Sequence, residues 1–318
     1  STSNSYYAWI GLPNASDFQS DWDSNPPAPK DAFSEENDYW DTMIALKKIN
    51  AADISRVVRK IDWTSGTTFE MYRDDYSRSN ISPQTSSTTL YDANYYVMNQ
   101  DYRVYICLQN GTNPENTEGR PSLDEPLFTD LEPRSAGSSG DGYVWKYLFT
   151  INPSQLIKFD STSFIPLPAD WSTSSEVASV RNNASTSGQL KIVTITGRGV
   201  GYGTAATYNN VPLLGDGQGG KCSVVVNAAG KIDSVEVTSG GSEYTFANVG
   251  LANVGLNNPA GSTDASFNVI IPPEGGHGAD IYKELGANRS LIYSRIENDT
   301  TNPDFITGNQ FARVGLVK

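Results

Sequence analysis

The chain has 318 residues, 37% of them hydrophobic and only 19% charged, with 28 Gly, 17 Pro and 17 Tyr. That length allows a sizeable core without disulfide or metal staples, and the Gly, Pro and Tyr content favours many short strands joined by tight turns over long helices. A net charge of -13 repels phosphate backbones and anionic lipid, which argues against nucleic-acid or membrane-surface binding and leaves proteins as the expected partners.

No run approaches the roughly 18 apolar residues of a membrane span. The two cysteines, Cys107 and Cys222, sit in strand-like apolar runs far apart in sequence, so buried free thiols are expected rather than a disulfide framework or a zinc site. Ser1-Thr2-Ser3-Asn4-Ser5 has neither a charged nor an apolar leader segment, so no secretion signal is expected.

In chain order, Tyr6–Ile10 reads as a short strand, followed by a polar surface loop through Asn25-Pro26-Pro27-Ala28-Pro29. Ser34 is placed to cap a helix that opens on Glu35 and Glu36 and closes on Lys47 and Lys48, matching the helix dipole at both ends. On that reading Tyr39, Trp40, Met43 and Leu46 line its inner face. Residues 62–100 read as short strands and loops, and Tyr102–Leu108 as a clean strand. The polar run from Gln109 to Gly140 is longer than an ordinary structureless loop and is expected to be exposed, as a contact arm. Gly140-Asp141-Gly142 then turns the chain into Tyr143, Trp145, Tyr147, Phe149 and Ile151 at alternate positions, the period of a strand with one buried face. Phe164-Ile165-Pro166-Leu167-Pro168 belongs at a sheet edge or exit, because proline cannot donate to a ladder.

After Trp171 the composition shifts to small residues and an internal repeat begins. Val193-Thr194-Ile195-Thr196 with Gly199 and Tyr202 matches Val235-Glu236-Val237-Thr238 with Gly241 and Tyr244, at a constant spacing of 42 positions (235 minus 193). Ser223–Val226 and Ser266–Val269 repeat at a spacing of 43 (266 minus 223). The glycines mark tight turns and each following Tyr is expected to cover one.

Chemistry-bearing motifs are sparse. The single histidine, His277, has no nucleophile elbow or matching Cys context to serve. Gly275-Gly276-His277-Gly278-Ala279-Asp280 matches one copy of a calcium-binding nonapeptide, but such sites form between stacked copies, so a glycine-rich linker is the expected reading. Gly197-Arg198-Gly199-Val200-Gly201 lacks the ending of a phosphate loop. Acidic pairs such as Glu35-Glu36, Asp74-Asp75 and Asp124-Glu125 could supply a glycosidase's carboxylates, yet adjacent acids ordinarily face water. No catalytic residue, cofactor or metal is assigned.

Four segments in order resemble one known family: Pro26-Pro27 with Asp31, Trp40 and Met43; Arg59-Lys60 with Asp62-Trp63; Val104-Tyr105 with Cys107-Leu108; and Gly140-Asp141-Gly142-Tyr143-Val144-Trp145 with Tyr147-Leu148-Phe149. Ile292-Tyr293 and Glu297-Asn298 add a weaker terminal match. The family is the baseplate wedge subunit of contractile-tailed bacteriophages, usually called gene product eight. The resemblance covers the chain outside the repeat and implies a non-enzymatic, mainly β, β-sandwich-like main domain with one or two short helices and an inserted domain. The expected organisation is a main domain in residues 1–184, an inserted β-repeat module in 185–275 and a return in 276–318.

It further implies a homodimer that binds other wedge proteins in the virion's tail baseplate after assembly in the host cytoplasm, with no nucleic-acid or membrane partner. Interfaces of this kind centre on a few aromatic or Arg anchors, and the candidates here are Phe128, Tyr202 and Tyr244, although the two tyrosines also suit turn covers. The rival expectations are a glycan-binding adhesin or tail-fibre-like module acting through the repeat, and a polysaccharide-degrading enzyme.

Overall fold

The computed structural model describes residues 5–12, 28, 36–74, 93–184, 186–297 and 313–318. Pro26, Pro27, Asp31, Ser34, Glu35, Asp75 and Asn298 lie outside them. In chain order the elements are β1 (Tyr7–Gly11), α1 (Glu36–Thr42), β2 (Met43–Lys48), β3 (Ile54–Arg59), β4 (Tyr96–Met98), β5 (Arg103–Asn110), β6 (Tyr143–Thr150), α2 (Pro153–Phe159), β7 (Phe164–Pro166) and α3 (Ala178–Asn183). They continue with β8 (Ile192–Arg198), β9 (Ala206–Gly215), β10 (Gln218–Val226), β11 (Ile232–Ser242), β12 (Ala247–Val249), β13 (Ala265–Ile270), α4 (Ile281–Glu284), β14 (Arg289–Ile292) and β15 (Arg313–Val317). The fold is mainly β, built from several small antiparallel sheets. Four short helices punctuate it among the described residues.

The chain divides into two compact units, Ser1–Ser55 with Ser290–Lys318, and Arg56–Arg289. In the first, β1 lies between β15 and β2. Trp9 pairs across to Gly315 on one side and Leu46 on the other, and its ring covers both glycines of the sheet. A Cβ on Gly315 would sit 2.5 Å from Trp9 Nε1 and one on Gly11 2.8 Å from the same ring. Here the expected long helix is corrected. It stops at Thr42, and Met43–Lys48 is a strand paired with β1, Ala45 opposite Ile10. Trp40 and Leu46, expected on a buried face, are exposed.

The second unit holds two hydrophobic cores. The first gathers around β4-β5-β6, where Tyr105, Ile106, Cys107, Tyr143, Trp145 and Leu148 are fully buried, each large ring contributing about 1.5–3 kcal/mol by leaving water. The β5–β6 register slips between Val104 and Tyr105 and again between Cys107 and Gln109. These bulges break the simple alternation. Leu148, the extra residue of the first bulge, is buried, and so is Lys146 on the face opposite Trp145, while Tyr147 is only half-buried, so the expectation of one buried face is corrected to burial on both. β7 pairs with β3 from Val57↔Pro166 to Arg59↔Phe164 and has no strand beyond it among the described residues, the edge position its prolines require. Asn152 caps α2 by accepting the Ser154 N–H.

The second core runs from Leu190 to Val269 and contains the repeat. β10 pairs with β11 and β13 with β8, so the first strand of each copy pairs with the last strand of the other. Both ladders carry the same defect. Thr196 is skipped between Ser266↔Gly197 and Phe267↔Ile195, and Thr238 between Lys221↔Ser239 and Cys222↔Val237. The later strands correspond at a spacing of 45 (266 minus 221), not at the 43 of the sequence match, a two-residue slip that keeps each side chain on its face. Cys107 and Cys222 are both buried free thiols.

Candidate interaction surfaces

The most apolar exposed surface belongs to the smaller unit. Among the described residues, eight of the fifteen exposed large hydrophobic side chains fall in it: Tyr6, Leu12, Trp40, Leu46, Ile54, Ile292, Val314 and Leu316. That unit holds a small minority of the described residues. Isolated exposed hydrophobics need no explanation, but a concentration of them marks an interaction surface. β15 is its centre. Val314 pairs with Ile10 and Leu316 with Ala8 on one face of the sheet, yet Val314 stays 73% and Leu316 52% exposed. The outer edge of β15 faces no strand among the described residues, the position in a sheet at which a further strand can add.

In the larger unit the residues singled out from sequence do internal work. Gly142 packs so closely on the chain that a Cβ would lie 2.8 Å from Gly111 Cα. Gly140 has a positive φ of 69° in open space, so its glycine serves the turn and not the packing. The Asp141 carboxylate accepts the N–H groups of Leu123 (2.9 Å) and Tyr143 (3.0 Å). The Tyr143 hydroxyl donates to Arg120 O at 2.7 Å and accepts the Phe69 N–H at 2.9 Å, while its ring stacks on Trp145 at 5.2 Å. Burial pushes that phenol well above its ordinary range. Tyr105 donates to Phe128 O at 2.7 Å and Trp63 Nε1 to Ser122 Oγ at 3.0 Å. Asp62 is exposed and its backbone bridges to Met98.

The contacts to Gly111, Arg120, Ser122, Leu123 and Phe128 grip the segment between Gln109 and Gly140. The expected contact arm is corrected: it is folded back, with Asn110 and Ser122 fully buried. Phe128 is half-buried between the Tyr105 ring at 5.5 Å and the Arg134 guanidinium at 4.9 Å. The same segment holds the repeat module. Glu115 takes Arg198 in two bonds, 2.7 Å to Nε and 2.8 Å to Nη2. Glu132 takes Lys191 at 2.7 Å and Asn183 at 2.9 Å. Arg198 and Lys191 hold the two carboxyls below their usual range. Asn183 passes the network inward to Lys146 Nζ at 2.9 Å, and Leu131 O accepts from the same amine at 2.6 Å. Burial lowers that amine to about 8.

Tyr202 and Tyr244, the other interface candidates, are buried and cover the repeat's two glycine turns, so neither is available to a partner. The glycine-rich segment before α4 is anchored as well. Trp171 Nε1 donates to Gly278 O and Ala279 O, both at 3.0 Å. His277 is buried with Nδ1 2.6 Å from Glu284 Oε1 and its ring edge-on to Tyr72 at 4.7 Å. Asp280 caps α4 by accepting from Tyr282 and Lys283. Its carboxylate therefore serves the helix.

Of the sequence candidates, the structure brings Trp63, Tyr105, Phe128 and Gly140–Trp145 around one core and leaves Trp40 in the other unit. Val314 and Leu316 were missed. Their signal was the alternation in Arg313-Val314-Gly315-Leu316-Val317-Lys318, a run too short to stand out without its partner strand. Among the described residues no group of three or more His, Cys, Asp or Glu is placed to hold a metal, and no helix is long and apolar enough to cross a membrane. No family model and no curated protein matches the chain.

Proposed function

We propose that the chain is a structural assembly subunit, a part of a contractile phage tail's baseplate wedge, that works through interface geometry and carries out no reaction. The observation that supports this most is the share of exposed large hydrophobic side chains that falls in the smaller unit, with Val314 and Leu316 on β15, an edge strand among the described residues. Such a surface gains by being covered: about 25 cal/mol for each Å² of apolar area removed from water. An edge strand adds backbone pairing to that gain. The pinned long segment and the two glutamate clamps keep the larger unit rigid, which suits a part that must present fixed geometry to neighbours. The wedge assignment itself rests on the order of the motifs that end in Gly140–Trp145. Homodimerisation and contacts with other wedge proteins follow from the same resemblance.

Antibody labelling of contractile-tailed particles that carry this chain tests the reading. Label at the baseplate is expected, before and after sheath contraction. Label confined to fibre tips would transfer the chain to the adhesins, and absence from the particle would end the structural reading.

A further inference from the structure

We infer that the repeat module carries a binding groove for a short uncharged saccharide, centred on Phe246. This site does not rest on the assembly reading. β12 is hydrogen-bonded to β9, and β13 to β8; no ladder joins β12 to β13 among the described residues. Between them lies an open groove of about 500 Å³, within the 300–1,000 Å³ usual for small-ligand sites.

Phe246 stands at this groove with 62% of its surface in water. One exposed ring is ordinary, but the backbone that carries this one is held in place. The Asp216 carboxylate accepts the N–H groups of Thr245 (2.9 Å) and Phe246 (3.3 Å) and the Thr245 hydroxyl (2.5 Å). Those hydrogen bonds lower its carboxyl to about 2. Gly215 lets the backbone approach, since a Cβ there would be 2.0 Å from Phe246 O. A ring on an ordered backbone has only two side-chain torsions to lose when a flat apolar face lies on it.

Around the ring are groups that suit hydroxyls. Asn248 and Asn268 are exposed in the groove, and a primary amide offers two donors and an acceptor. Asn248 Oδ1 accepts the Val249 N–H at 2.8 Å, which leaves its NH₂ outward. Ser266 adds a hydroxyl. Among the described residues the one charged side chain lining the groove is Asp74, whose carboxylate accepts the Ile271 N–H at 2.8 Å, and no Lys or Arg among them lines it, which opposes phosphate, uronate and sialate ligands. A sugar ring has an apolar C–H face for the Phe and equatorial hydroxyls for the amides. A short uncharged saccharide is the class that fits.

The test uses the full-length protein and saturation-transfer NMR with tetrasaccharides of glucose (β-1,4 and α-1,4), of N-acetylglucosamine and, as the charged control, of galacturonate. At least one neutral tetrasaccharide should bind, Phe246→Ala should weaken it at least tenfold and Asn268→Ala several-fold, with melting temperatures unchanged and no galacturonate signal. No transfer to any neutral tetrasaccharide would overturn the proposal. So would wild-type affinity in both variants, or equal binding of the acidic sugar.

Discussion

The Tyr202 hydroxyl accepts the backbone N–H of Ala265 at 2.7 Å, and Tyr244, its counterpart in the second repeat, does the same for Gly220 at 3.0 Å. Each ring lies against a left-handed glycine three residues earlier, Gly199 and Gly241. Tyr244 also donates to Leu213 O at 2.9 Å. Its removal strands a buried donor and a buried acceptor, each costing about 1–3 kcal/mol. Tyr244→Phe should therefore lower the melting temperature more than Tyr202→Phe, as thermal unfolding monitored by circular dichroism will show.

The glycines of those turns are the second point of attack. A Cβ at Gly241 would lie 2.3 Å from Gln218 O and 2.5 Å from Gly220 N, whereas one at Gly255 meets nothing within 4 Å. Both have positive φ, 61° and 77°, so alanine at either costs about 1–2 kcal/mol in backbone strain. Gly241→Ala adds a clash with the backbone of β10 and should destabilise clearly more than Gly255→Ala in urea denaturation. Equal midpoints would mean that the turn yields.

Stability should rise with pH between about 8 and the ordinary lysine range. The buried Lys146 amine is lowered from 10.5 to about 8, so the folded state disfavours its charge. Below pH 8 it is protonated in both states and the penalty is fully present; above that the unfolded chain binds the extra proton, and stability increases until the unfolded lysine also titrates. The phenols of Tyr72, Tyr105 and Tyr143 are all raised by burial. They act in the opposite sense, with stability lost above about pH 10. Urea midpoints at pH 7.5 and 9.5 should climb in the wild type and flatten in Lys146→Met.

Glu115 and Glu132 tie Arg198 and Lys191 of the repeat module to the segment between Gln109 and Gly140. Exposed pairs are screened by salt. Hydrogen exchange of the β8 amides should quicken in Glu115→Gln, and 1 M salt should quicken the wild type while changing the variant less. Protection unaffected by either change would show that packing alone seats β8.

Strands were legible where large side chains alternate over eight residues, as in Tyr143–Thr150, because a period of two needs no knowledge of the partner. The same local pattern misled at Met43–Lys48. Tyr39, Trp40, Met43 and Leu46 have helical spacing, but pairing with Tyr7–Gly11 is a distant interaction that outweighs local propensity. The burial of Lys146 was hidden in another way. That lysine lies on the face opposite Trp145, and its partners there, Leu131 and Asn183, are distant in sequence. The repeat was legible as a spacing, yet its strand correspondence differs by two residues because parity and register are separate constraints.

The account depends most on the exposed row at β15. A Val314→Glu, Leu316→Glu double variant places charges where the apolar row faces water, so the isolated protein should melt as the wild type does. In a phage whose own copy of the gene is disrupted, we predict that the variant is made and folded yet missing from purified particles, and that infectious particles fall accordingly. Incorporation at the wild-type level would contradict the claim that this chain assembles through that surface.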